Sequence, residues 1–271
     1  NSLLVNDKIA DVFIRQVVEP NQEAKINSVL PLLDNITDEV SVKVRDQYED
    51  SPFPRWVNLG LSLKPILISK TVDEIPLKLH DYKISEVEKP EILIAGCGTG
   101  QHSIETASRF KDSKVLGIDL SLSSLSFAKR KTEELGIENI DYLQADILNL
   151  RKLDRQFDIV ESGGVLHHMD DPMAGWKVLT DCLKSGGLMK IGLYSELARQ
   201  HIVKIRQEIS NAGIGSSDKE IKSFRDTTIS SNKDHHTFIR KADFYSLSML
   251  RDLLFHVREH RFTIPQIKDC L

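Results

Sequence analysis

The stretch Ile92-Leu93-Ile94-Ala95 runs without interruption into Gly96-Cys97-Gly98-Thr99-Gly100-Gln101-His102. Glycines two apart, between an apolar run and a helical segment, imply a tight turn whose backbone approaches a ligand with no Cβ in the way. The helix that follows offers free N–H groups to a polar or anionic group. The third glycine comes one residue early for G-x-G-x-x-G, whose last position is Gln101 here, so the dinucleotide fingerprint is not met. No G-x-x-x-x-G-K-[ST] follows, which excludes a P-loop. Two carboxylates stand at the ends of later apolar runs: Asp119 after Gly117-Ile118, and Asp146 after Ala145. Asp119 with Ser121 also reads as a helix cap, and Asp146 alone as a surface acid. The strand count is what places Asp146 on the rim where ligands bind in such sheets.

Other residues could do acid–base or ligand chemistry. His167-His168 reads as a general base or metal ligand, or as one packed and one solvated imidazole. His256 and His260, four apart, could share a helix face, but a zinc site needs a third ligand. Asp252 and His256, also four apart, could be a carboxylate-oriented imidazole or a plain surface pair. In Tyr48-Glu-Asp-Ser-Pro-Phe-Pro-Arg55-Trp56, an arginine among aromatics and prolines could clamp a carboxylate bidentately. Equally, Phe53 and Trp56 could pin a helical cap onto the sheet. Cys97 suits the turn by its size.

The elements that must position these residues follow from periodicity. Short apolar runs at 91–95, 114–118, 140–145, 157–162 and 187–194 alternate with helical segments marked by Ile104/Ala107, Leu122/Leu125/Ala128 and Trp176/Leu179/Leu183. Ser121 sits where an N-cap belongs; Gly136 and Gly186 sit where helices end. Strand–helix alternation predicts a doubly wound α/β domain with a mostly parallel sheet and right-handed crossovers. Upstream, Ile9, Val12, Phe13 and Val17 predict a helix stopped by Pro20, Pro31 a weaker helical stretch, and 47–56 a loop; 57–84, with Pro65 and Pro76, reads as a connector. Downstream, a polar helix at about 196–210 precedes a break at 213–218 and a stretch containing His235 and His236. Leu247, Leu250, Leu254 and Val257 mark another helix, and 262–270 the start of a further one. The expected division is 1–84, an N-terminal helical cap with its aromatic loop; 85–195, the α/β domain; and 196–271, a helical lid.

The chain has 271 residues with 40% hydrophobic and 28% charged, the make-up of a globular protein. Its net charge of −4 removes the usual basic footprint of a nucleic-acid binder. No apolar run is long enough to span a bilayer, the first residues lack a signal peptide's apolar core, and Cys97, Cys182 and Cys270 show no clip spacing. No membrane and no nucleic acid is therefore expected, and a reducing cytoplasm is the expected location.

Taken jointly, G-x-G-x-G after the first strand and an acid closing the second resemble class I S-adenosylmethionine (SAM)-dependent methyltransferases. Supporting positions are Asp119 in Gly117-Ile-Asp119-Leu120-Ser, Asp146 in Ala145-Asp-Ile147, Phe157-Asp-Ile-Val-Glu161-Ser162 with the loop to His168, and Lys184-Ser-Gly-Gly187. The resemblance covers 90–194. It implies a Rossmann-like fold, SAM as cofactor and S-adenosylhomocysteine as product. Gly96, Cys97, Gly98, Thr99, Gly100, Gln101, His102, Leu120, Ile147 and Ser162 would then line the cofactor, Asp119 would take the ribose hydroxyls, and Asp146 the adenine amino group. Tyr48, Arg55 and Trp56 join them as cofactor contacts, and Arg251 and His256 as acceptor contacts. Base candidates are His167, His168, Glu161, Tyr194 and His256. The family's acid two residues before the first glycine is Ile94 here, so its contact with the amino end of SAM must come from elsewhere or be lost; Glu161 and backbone carbonyls near Gly96 could substitute. No [DN]-P-P-[YF] follows the fourth strand, which points to a small-molecule acceptor. A regulatory SAM-binding module and a protein or peptide methyltransferase are the alternatives. The loop at 48–56, Gly192–Glu196 and Arg251–His256 resemble a bacterial group often fused to tetratricopeptide repeats. The family's final strand pair has no counterpart by Leu271: either the sequence is truncated, or the fifth strand is left as an edge needing cover.

Overall fold

The computed structural model describes residues 9–62, 64–74, 78–79, 81–230, 239 and 242–271; Pro76, His235, His236 and the first eight residues lie outside these. At its centre is a five-stranded sheet, β1 (Glu91–Ala95), β2 (Lys114–Asp119), β3 (Ile140–Gln144), β4 (Phe157–Gly163) and β5 (Leu183–Gly192), in the order β3-β2-β1-β4-β5. All four pairings are parallel. Parallel strands covered on both faces require near-continuous apolar runs, as in Glu91–Ala95. Ile92 and Ile94 pack with Ile104, Leu125 and Tyr142, and Leu93 and Ala95 pack on the opposite face with Leu150, Val160 and Leu179. The connecting helices are α5 (Gln101–Arg109), α6 (Leu122–Glu134) and α7 (Pro172–Asp181), following the N-terminal α1 (Ala10–Phe13), α2 (Glu19–Asn27), α3 (Glu39–Asp50) and α4 (Ile68–Glu74). Strand order reverses between β1 and β4, which opens a crevice at their carboxyl ends. The doubly wound α/β expectation is met.

A third apolar cluster holds the C-terminal helices together. Ile202, Ile205 and Ile209 of α8 (Gln200–Asn211), Ile221 of α9 (Asp218–Ser230) and Leu250 and Leu254 of α10 (Leu247–Phe255) pack around Phe244. A short α11 (Ile264–Asp269) follows, opened by a capping box between Thr263 and Gln266. The Ser195–Phe262 bridge joins the segment after β5 to this region, and no strand among the described residues pairs with the outer edge of β5. No helix of the described residues is long and apolar enough to cross a membrane.

Several local expectations are corrected. Pro20 does not end a helix: it lies in the first turn of α2, directly after a π-helical turn at Ile14–Val18, where its missing N–H costs little. The Pro31 segment is extended; Pro31 accepts a hydrogen bond from the Gln144 N–H (2.9 Å), and Leu33 bonds back to Gln144, covering the free edge of β3. Helix α3 continues to Asp50, so Tyr48 is helical and the aromatic loop starts at Ser51. Gly186 (φ 81°) lies inside a bulge of β5, where Phe157 pairs with Leu183 but Ile159 with Leu188. That bulge also puts Lys184–Gly187 within the strand instead of before it. Val257 falls beyond α10 and is exposed, so His256 and His260 do not share a helix face.

Candidate functional site

The glycine turn between β1 and α5 is built as its spacing implies. Gly96, Gly98 and Gly100 all have positive φ (72°, 52° and 86°). A Cβ on Gly96 would lie 2.2 Å from Val165 Cγ2. Backbone N–H groups of Gly96 and Cys97 both donate to Ile118 O (2.8 Å each), tying the turn to β2. Asp119 completes the tie: one carboxylate oxygen accepts the Gly98 N–H (2.8 Å), the other the Ser121 N–H (2.9 Å). Burial, with help from the charge of Glu49, raises the Asp119 carboxyl above its ordinary value, although these backbone N–H groups oppose the shift. Burial and the Asp119 charge likewise push the Cys97 thiol well up, so it serves by its size. From outside, Thr99 donates its hydroxyl to Pro54 O (2.5 Å), and the Trp56 indole donates to Thr99 O (3.1 Å).

One cavity of about 290 Å³ starts at this turn. At one end it is lined by Gly96, Cys97, Gly98, Thr99, Gln101, His102, Asp119, Leu120, Asp146 and Ile147; at the other by Tyr48, His168, Met169, Tyr194 and Asp252. Among the described residues, three that line it are aspartates and none is lysine or arginine. Asp146 also caps the turn after β3 by accepting the Leu148 N–H (2.9 Å). Glu49, from α3, caps α6 with three hydrogen bonds, from the Leu122 and Ser123 N–H groups and the Ser123 hydroxyl.

At the far end, four elements converge. The Tyr48 hydroxyl donates to Asp252 Oδ1 (2.5 Å) and lies 3.2 Å from His256 Nε2. The rings of His168 and His256 stack at 3.5 Å, 20° from parallel, and His167 stacks on Tyr194 at 3.6 Å. His168 donates Nδ1–H to Arg258 O (2.7 Å), which leaves Nε2 as the lone-pair side. Burial, before any neighbouring charge, lowers His167 and His256 to about 2 and His168 to about 4, so all three are neutral. Burial raises Asp252 to about 6 against the opposing Tyr48 hydrogen bond, and raises Tyr194 to about 12. Donor atoms of His168, Asp252 and His256 lie within 4.8 Å of one another. Their lone pairs do not converge on one point, however: in stacked rings an ion in the plane of one imidazole lies off the plane of the other.

The remaining expected site residues lie off the cavity lining. Arg55 pairs with Glu23 (2.5 Å) and sits 5.1 Å from the Phe127 ring, so it is not free to clamp a ligand. Trp56 packs edge-on to Phe127 and supports the glycine turn from behind, the pinning role. Gly100 packs against Ala128, and Ser162 donates its hydroxyl to Ala95 O (3.1 Å). Arg251 bonds to Ser51 (2.6 Å) and pairs with Asp218. His167 is fully buried, with neither ring nitrogen hydrogen-bonded among the described residues. His256 is buried behind His168 rather than on the lining. Glu161 sits behind His102, bonded to its imidazole and, at 3.4 Å, to Thr106. Burial works to raise Glu161, but the His102 bond and charge, with Lys190 and Thr106, hold it below the ordinary carboxylate value. It pairs in register with Ile94 across β1 and β4, so the acid missing from β1 has a counterpart one strand away.

Sequence reasoning missed Glu49 and underrated Asp252, which reads as half of a surface pair but opens onto the cavity. Its i,i+4 relation to His256 was the available signal; the contact with Tyr48, 204 residues away, had none.

Comparison with known proteins agrees with this geometry. Residues 92–187 match the family model described as a methyltransferase domain. The chain is similar to the ubiquinone biosynthesis O-methyltransferase of Coxiella burnetii (30% identity, 58% of this chain and 62% of that one). It is also similar to the mitochondrial enzyme of that name from Dictyostelium discoideum (29% identity; 48% and 44%). Among solved structures it resembles PKMT2 from Rickettsia typhi, with 19% identity, a TM-score of 0.53, and 71% of this chain and 39% of that one covered. The chain spans less than two thirds of the length of these relatives. The α/β part has the class I SAM-dependent methyltransferase fold.

Proposed function

We propose that the chain is a SAM-dependent methyltransferase acting on a small-molecule acceptor. The observation that carries this reading is the single cavity joining the glycine turn, Asp119 and Asp146 to the Tyr48–His168–Tyr194–Asp252 end. Its chemistry suits SAM: the carboxylates accept hydrogen bonds from hydroxyl and amino groups, and a cationic sulfonium is favoured where, among the described residues, aspartates line the wall and no lysine or arginine does. A dinucleotide would place a pyrophosphate dianion in the same anionic surroundings. When bound, SAM supplies a methyl group already activated for in-line displacement by the acceptor. The work left to the protein is positioning and water exclusion. Asp119 and Asp146 hold the cofactor, Cys97 and Ile147 fill the turn around it, and the neutral His168, with Nε2 unprotonated, can accept a hydrogen bond from the acceptor.

The test is S-adenosylhomocysteine formation from SAM with pooled small-molecule acceptors. Acceptor-dependent turnover supports the proposal. SAM binding without turnover in any pool, protein or peptide substrates included, supports instead a binding module. As part of the same proposal, the chain belongs to the bacterial group often fused to tetratricopeptide repeats, supported by the 48–56 loop and the 192–196 and 251–256 segments. Its place is the cytoplasm, in keeping with free Cys97, Cys182 and Cys270.

A further inference from the structure

Asp252 is a carboxylate in want of a cation. Among the described residues its hydrogen-bond partner is the Tyr48 hydroxyl, at Oδ1, and no lysine or arginine of those residues lines the cavity into which it opens. Arg199, whose charge acts on it, is already paired with the buried Glu259 and stacked on Tyr194 at 3.8 Å. Beside Asp252, His168 is only 6% exposed, and its Nε2 has no protein partner among the described residues. A carboxylate and an imidazole lone pair, both acceptors, thus meet at the end of the cavity away from the glycine turn. Buried acceptors left without donors are costly, so a ligand that brings donors and positive charge is selected.

We infer that the methyl acceptor is a primary or secondary amine, recognised as its ammonium ion by Asp252 and His168, with Asp252 as the proton acceptor. This rests on the methyltransferase reading and names its substrate class. The ammonium N–H proton passes to Asp252, which frees the nitrogen lone pair. That lone pair forms the new N–C bond as the C–S bond of the sulfonium breaks, its electrons staying on sulfur. Amine and sulfonium become a methylammonium and a neutral thioether, and the displaced proton stays on Asp252. Tyr48 is a positioning residue that holds the carboxylate through Oδ1. Both Tyr48 and Asp252 come from outside residues 92–187, so the carboxylate that selects the acceptor and the hydroxyl that holds it lie outside the matched domain, while His168 lies within it.

The test uses the full chain saturated with S-adenosylhomocysteine, titrated calorimetrically with n-butylammonium and benzylammonium and with n-butanol and benzyl alcohol. The ammonium probes should bind about tenfold or more tightly than the alcohols, and Asp252→Asn should abolish this preference while S-adenosylhomocysteine affinity stays unchanged. Equal binding of alcohols, absence of ammonium binding, or a preference that survives Asp252→Asn overturns the inference. Failure of S-adenosylhomocysteine itself to bind counts instead against the methyltransferase reading. The preference should vanish as pH falls through about 6, where Asp252 takes up a proton among Tyr48, His168, His256, Arg199, Asp243 and Glu259. Tyr48→Phe removes a hydrogen bond to the ionised carboxylate, so the midpoint should move to higher pH; an unmoved midpoint denies Tyr48 that role.

Discussion

At the scale of single residues, Gly96 shows how one position serves both fold and site. Its φ of 72° and the 2.2 Å approach of a built Cβ to Val165 are separate reasons against a side chain. Gly96→Ala should therefore weaken SAM binding by about tenfold or more, from a conformational cost of roughly 1–2 kcal/mol plus the clash. Adding Val165→Ala removes only the clash, so calorimetry on the double variant should show partial recovery. Full recovery would mean that the positive φ carries no cost. The glycine spacing made this turn legible in the sequence, because few other arrangements need three glycines there. Arg55 was not legible in the same way: an arginine in a loop can clamp a ligand or pair with a neighbour, and only the position of Glu23 decides.

At the scale of elements, the cap on α6 is the clearest joint. Glu49 reaches from α3 to accept three hydrogen bonds at the α6 N-terminus, next to the helix turn that carries Tyr48. Glu49→Ala should lower stability by about 1–2 kcal/mol, with Glu49→Gln recovering part of it, both read from urea unfolding midpoints. An unchanged midpoint for the alanine variant would show that the cap is replaced by water. The five strands and three crossover helices were readable because fully covered parallel strands leave unbroken apolar runs between capped helices. The β3 edge cover at Pro31–Leu33 and the run through Pro20 were not. Proline marks a helix end only where an N–H is needed, and a π-turn before Pro20 removes that need. Likewise Asp252 and His256 look like a surface pair until α10 is packed against Tyr48 on α3.

At the scale of the whole molecule, the buried imidazoles govern the response to acid. His167, His168 and His256 bind protons in the unfolded chain as pH falls below their ordinary 6.5, but in the folded protein only near 2, 4 and 2. Asp252 acts oppositely, taking up its proton near 6 when folded and near 3.8 when unfolded. Asp119 acts with Asp252, and Glu161 against it. The three histidines outnumber the raised aspartates, so the unfolded state gains protons and stability falls from about pH 6.5 towards 4, on the order of 1 kcal/mol per pH unit for each uncompensated group. Tm should accordingly drop between pH 7 and pH 5; a flat or rising Tm would contradict the burial of these rings as neutral groups. The central claim, that the anionic cavity beside the glycine turn is a SAM site, is tested most directly by calorimetric titration with SAM, S-adenosylhomocysteine and NADH, alongside Asp119→Ala. Both adenosyl ligands should bind, about tenfold or more weakly in the variant, and NADH should not bind. NADH binding, or adenosyl binding indifferent to Asp119, would contradict it.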